Sequence, residues 1–227
     1  MPRDQDLLRA LARLRVARTS AVVQLCLGGI RRDTAARRLR RLFDAGFLAV
    51  RTAAATQESL YMLGPKGRQF VTGEGEAEPG VPLGSLEHHL AIVDTWVSVA
   101  TLELPGVGLQ LARADWELRT EFGGGLAIIP DLFVVLDTPP GPVALAIEVD
   151  LGTEPLKVLR AKVENYAGLA LGKACSGGQG SVSASPYGAR AGFPSCANCW
   201  LKAGADEPFY GALRMALWRN SRGLQQA

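Results

Sequence analysis

Two apolar runs, LAIIPDLFVVLD (126–137) and VALAIEVDL (143–151), are separated only by TPPGP. Segments this rich in Val, Ile and Leu, joined by so tight a Pro/Gly turn, predict adjacent strands of one sheet. That hairpin carries an unusual load. Asp131 follows Pro130 at the head of the first strand, and Glu148 and Asp150 fall on one face of the second because strand side chains alternate with period two. Three carboxylates gathered at one sheet end repel one another and lose hydration, so they persist where a cation or a positive side chain compensates them. Lys157 and Lys162 lie on the helix expected next, from about residue 154 to 171. The acids therefore read as ligands for Mg²⁺ or Mn²⁺, with a lysine to stabilise charge on a phosphate or orient an attacking water. The structural alternative is an acid pair neutralised by lysine or arginine.

The elements around this hairpin set the fold class. Residues 86–104 read as a helix with Leu90, Val93, Val97 and Leu102 inward, and LQLARADWELRTE as a strand or strand pair. The following helix has Leu156, Leu159, Val163 and Tyr166 as an apolar stripe. The order αβββα is that of an α/β (α+β) domain over 86–171. The Gly-, Pro- and Glu-rich residues 73–85 before it read as a linker.

Charge divides the chain as well. The formal net charge of +3 hides an asymmetry, since residues 1–51 hold twelve Arg against four acids, leaving a negative remainder. A basic segment joined to an acidic one predicts that the first meets a polyanion. DLLRALARLRVA has a leucine stripe, TSAVVQLCL follows with Thr19 or Ser20 as N-cap, and RRDTAARRLRRLFDAG is a third helix capped by Asp33 or Thr34 and ended at Gly46. On the third helix Ala35, Ala36, Leu39, Leu42 and Phe43 share one arc, opposite Thr34, Arg37, Arg38, Arg40 and Arg41, with no Glu spaced for i,i+4 pairing. FLAVRTA and SLYMLGPKGRQFV then read as a hairpin that places Lys66 and Arg68 near its tip. Three helices and a hairpin are the order of a winged helix over 1–72. Its third helix would enter the major groove of double-stranded DNA, with Thr34, Arg37, Arg38, Arg40, Arg41, Lys66 and Arg68 as contacts. Such proteins often read paired half-sites as dimers, so a homodimer is one expectation.

At these residues two resemblances enter. IPD at 129–131 followed by EVD at 148–150 resembles the PD-(D/E)XK nuclease superfamily, with an αβββαβ core. Asp150 stands where that motif has lysine, and the resemblance implies Lys157 or Lys162 as a substitute carried on the next helix. Residues 5–166 more closely resemble the replication-relaxation family of plasmid and mobile-element proteins. The matching residues are His88 or His89, Trp116, Glu117, Pro130, Asp131, Glu148, Asp150, Gly152, Thr153, Glu154, Lys162 and Tyr166. The resemblance implies a role in plasmid replication, relaxation or mobilisation, with a relaxase or replication protein as partner.

The remaining features mostly exclude. MPRDQDLLRA has mixed charge where a secretion signal has an apolar core, and a cytoplasmic protein without a membrane partner is expected. Cys196 and Cys199 form one CANC, and with Cys175 they lack a fourth ligand nearby, so zinc is not expected. Residues 172–227 read as a diverged, partly disordered tail, lacking the final strand of the core and ending in a helix docked through Leu213, Leu217 and Trp218. Three functions fit: a DNA-binding accessory protein with a nuclease-like second domain, a metal-dependent DNA endonuclease, and a winged-helix transcriptional regulator.

Overall fold

The computed structural model describes residues 2–52, 58–73, 80–123, 128–152, 155–170 and 214–219. The chain divides into two compact units, Met1–Leu102 and Glu103–Ala227.

The first unit opens with α1 (Pro2–Leu14), β1 (Ala17–Arg18), α2 (Thr19–Cys26) and α3 (Arg32–Asp44). It continues through β2 (Leu48–Thr52), β3 (Ser59–Leu63), α4 (Pro65–Thr72), a single 3₁₀ turn (Leu83–Ser85) and α5 (Leu86–Ala100). The strands form an antiparallel sheet in the order β1-β3-β2, with Ala17 opposite Tyr61 and Leu48 opposite Leu63. Its core is the leucine stripe of α1 (Leu7, Leu8, Leu11, Leu14) against Val22, Leu39, Leu42, Leu60 and Leu63. The apolar period of the helices is what builds this core, because i, i+3 and i+4 positions share a face.

Several expectations need correction here. PKGRQFVT is helix α4, not the end of a strand: Pro65 at its first turn supplies a helix-ready φ, and Gly73 closes it in the left-handed conformation (φ 73°). Lys66 and Arg68 therefore sit on α4 rather than near a hairpin tip. Gly64 and Gly67 let α4 lie directly on β2, since a Cβ on Gly67 would stand 2.2 Å from the Phe47 carbonyl oxygen. The N-cap of α3 is Arg31, with no side-chain cap, and Asp33 and Thr34 lie inside the first turn. Arg18 is likewise the N-cap of α2, and the Thr19 hydroxyl instead donates to the Ser59 carbonyl at 2.9 Å. Ala36 and Phe43, expected to face inward, are exposed.

Helix α5, read from the sequence as the start of the second domain, packs within the first unit. His89, Leu90, Ala91, Ile92, Val93, Thr95, Trp96 and Val97 are all buried, and Leu90 joins Val16 and Leu60 in one apolar cluster. The buried His89 Nε2 lies 2.9 Å from the carbonyl oxygen of Leu14, and the Arg13 guanidinium stacks over Trp96. Leu102 falls beyond the helix end and is exposed.

The second unit has β4 (Gly108–Ala114), α6 (Asp115–Phe122), β5 (Leu132–Asp137), β6 (Val143–Asp150), α7 (Leu156–Ala170) and β7 (Arg214–Arg219). The sheet runs β4-β5-β6-β7; the first two pairings are antiparallel and β6 with β7 is parallel. The turn between β5 and β6 closes with the Gly141 amide donating to Thr138 O at 2.8 Å, and Gly141 takes a positive φ there. DWELRTEF is helix α6 instead of a strand: Glu117 accepts the Ala114 amide at 3.1 Å, and the Asp115 amide donates to the Asp131 carbonyl.

The strand expected to be lacking is present. Residues 214–219, read from the sequence as helix, pair with β6 from Leu145↔Arg214 to Asp150↔Arg219. A parallel strand reads as a short continuous apolar run, and MALW between two arginines cannot be told from a helix by periodicity. The rest of the tail, with Cys175, Cys196 and Cys199, lies outside the described residues, as do Thr153 and Glu154.

Candidate functional site

The register of β5 and β6 pairs Leu132 with Ile147, so Asp131 and Glu148 stand one step further at the same sheet end. Glu148 and Asp150 are 3% and 5% exposed, which makes their partners decisive. Lys162 Nζ donates to Glu148 Oε2 at 2.9 Å, and the Tyr166 hydroxyl donates to Glu148 Oε1. Lys162 and Tyr166 lie one turn apart on α7, so a single face of that helix satisfies both oxygens. Asp131 Oδ2 accepts the Val149 amide at 2.8 Å, and Asp150 Oδ1 accepts the Gly152 amide at 2.8 Å. Gly152 has a φ of 78°, so this turn after β6 is built from an aspartate and a glycine.

Burial, the hydrogen bond to Glu148, and the negative charges of Glu148 and Asp131 together hold the Tyr166 hydroxyl far above the ordinary tyrosine range. The raised value keeps the proton on the phenol, which donates it to the carboxylate. Lys157 lies exposed on α7, about 140° around the helix from Lys162 at 100° per residue. Of the two candidate lysines only Lys162 is brought to the acid.

The nuclease resemblance implies a divalent cation among Asp131, Glu148 and Asp150. As placed, the carboxylates are committed: Glu148 to Lys162 and Tyr166, Asp131 to the Val149 amide, Asp150 to the Gly152 amide. No group of three or more His, Cys, Asp or Glu among the described residues could hold a metal ion. This arrangement does not fit the cation. It fits a buried carboxylate neutralised from within, which persists because leaving it unpaired costs several kcal/mol.

The basic face of the first unit is resolved into unequal members. Ala35, Leu39 and Leu42 bury one side of α3, leaving Thr34, Arg37, Arg40 and Arg41 exposed. Arg40 and Arg41 have side chains 75% and 65% exposed. Arg40 pairs with Asp44 at 2.9 Å, so an i,i+4 partner exists, an aspartate where the sequence reading sought glutamate. Arg37 Nε reaches back to the Asp33 carbonyl at 3.3 Å. Arg38 is different: its side chain is 17% exposed and Nε donates to Asp4 Oδ1, on α1. Arg41 Nη2 lies 3.9 Å from the other oxygen of that carboxylate. On α4, Lys66 is exposed, its stem beside Gly46 at the end of α3, while Arg68 Nη1 donates to the Leu63 carbonyl at 2.8 Å.

Two pairings go beyond the sequence reading. Tyr166 reads there as an apolar stripe position and as a residue matching the replication-relaxation pattern, and only the structure brings its hydroxyl to Glu148, with the i,i+4 spacing from Lys162 as the local signal for a shared partner. Asp4 had no local signal, because it meets Arg38 across two helices.

A mixed αβ chain, with a basic helix face in one unit and a closed acid site in the other, is the class these features define. The chain belongs to the replication-relaxation family, whose profile matches residues 8–183. Comparison with curated proteins and with solved structures gives no match. No helix among the described residues is long and apolar enough to cross a membrane.

Proposed function

We propose that this chain is a DNA-binding accessory protein of plasmid or mobile-element replication, relaxation or mobilisation, located in the cytoplasm. On this reading the first unit is a winged helix that places α3 in the major groove of double-stranded DNA. The second is a nuclease-like scaffold whose acids serve structure, and it leaves a relaxase or replication protein as the partner that acts on the DNA. The observation that carries the reading is α3 itself: one side is buried through Ala35, Leu39 and Leu42, and the other presents Arg37, Arg40 and Arg41. The element order, the β1-β3-β2 sheet and the family's role in replication and relaxation support it. The closure of Glu148 by Lys162 and Tyr166 argues for an accessory role over an endonuclease.

Supercoiled plasmid incubated with the protein in Mg²⁺ or Mn²⁺, beside Glu148→Ala, tests both halves. A retarded band without nicking is the expected result. Nicking that disappears in the variant would replace this reading with that of a metal-dependent endonuclease, and no retardation at all would remove DNA binding.

A further inference from the structure

Asp4 occupies a place that phosphate would otherwise contest. It stands in the first turn of α1, where a helix favours negative charge, and its side chain is 15% exposed. One oxygen takes Arg38 Nε and the other lies 3.9 Å from Arg41 Nη2. The two arginines belong to one face of α3 yet differ sharply in exposure, 17% for Arg38 and 65% for Arg41. Arg38 is held by the protein's own carboxylate, and Arg41 is shared between that carboxylate and solvent.

We propose that Asp4 is an internal counter-ion that competes with the DNA backbone for Arg38 and Arg41, holding down sequence-independent affinity of the α3 face. The inference rests on the reading of α3 as the DNA-contacting helix. Its physical basis is that sequence-independent binding comes from phosphate neutralisation and counterion release, so each arginine withdrawn removes one contact. An acid set beneath a basic face therefore weakens binding to every duplex alike and leaves base-edge contacts to decide between sequences. A polar carboxamide at residue 4 would keep the shape and release chiefly Arg38, the guanidinium Asp4 holds at hydrogen-bond distance, since Arg41 is already 65% exposed. Arg37 and Arg40, whose contacts lie within α3, would be unaffected.

The test measures binding of the full chain to a short duplex of mixed sequence over a range of salt concentrations, for wild type, Asp4→Asn, and Asp4→Asn combined with Arg38→Gln. The expected result for Asp4→Asn is a salt slope steeper by about one and an affinity about tenfold higher near 0.1 M salt, as one added phosphate contact gives. Adding Arg38→Gln should return the slope most of the way to wild type. Urea unfolding of each variant establishes that the folded protein is compared. A folded Asp4→Asn protein that binds DNA with an unchanged or shallower slope would overturn the proposal and leave Asp4 as a strut between α1 and α3. Should Asp4→Asn not fold, Asp4→Glu, which keeps the charge, must leave the slope at its wild-type value; a steeper slope there would also overturn it. Absence of retardation in every protein, wild type included, would remove the DNA-binding reading and this inference with it.

Discussion

At Glu148 a carboxylate is buried with both oxygens satisfied from α7, and the two partners should differ in weight. Removing the Lys162 ammonium with Lys162→Met leaves a nearly buried charge half compensated, and we expect a loss of about 3 kcal/mol in urea unfolding. Tyr166→Phe removes only a hydrogen bond to a charged group, about 1.5–3 kcal/mol. If Glu148→Gln, which abolishes the charge, rescues Lys162→Met, the cost is electrostatic; no rescue would mean that the lysine stem packs instead. The direction of the Tyr166 shift also sets a pH dependence. Its folded-state value is raised, so the stabilisation is fully present below the ordinary tyrosine value of about 10 and is lost as pH climbs above it. Following tyrosinate absorbance should show Tyr166 ionising only together with unfolding. The Cys26 thiol, pushed up to about 11 chiefly by burial with Asp6 adding to it, should alkylate more slowly at neutral pH than an unhindered cysteine.

Among the elements, α4 is the one whose place depends most on missing atoms. Gly67 lies over the Phe47 carbonyl and Gly64 over those of Gly46 and Leu48, with no room for a Cβ at either. We expect Gly67→Ala to cost about 1–3 kcal/mol through forced backbone movement, despite alanine's better helix propensity. A more stable Gly67→Ala protein in thermal unfolding would show that α4 can lift from β2 at little cost. The same element explains a misreading. GPKGRQFV reads as strand and turn because Gly and Pro punctuate both, and the tertiary approach to β2 is what decides for a helix.

For the whole molecule, the division at Leu102 makes a prediction about fragments. A piece comprising residues 1–102 retains α5 over Val16 and Leu60, with His89 against Leu14 and Arg13 over Trp96. It should unfold cooperatively in urea and retard a mixed-sequence duplex. A piece ending at residue 72 loses the cover of Leu90, Val93 and Trp96 and should be markedly less stable. Equal stability of the two would make α5 an appendage of the first unit.

Much of this arrangement was written in local pattern. The leucine stripe of α1, the arginine face of α3, and the β5–β6 hairpin with its acids follow from periodicity, turn chemistry and residue type, which act over a few neighbouring positions. What those patterns left open was settled by contacts between residues distant in sequence. α5 reads as an amphipathic helix wherever it packs, and only burial around most of its circumference assigns it to the first unit. Residues 214–219 become a strand because β6 offers an open edge to pair with. Lys162, not Lys157, meets Glu148, and Arg38, not Arg40, meets Asp4, because helix rotation and packing choose among residues of identical chemistry. A sequence specifies which groups carry charge; the fold selects which of them remain available to a partner.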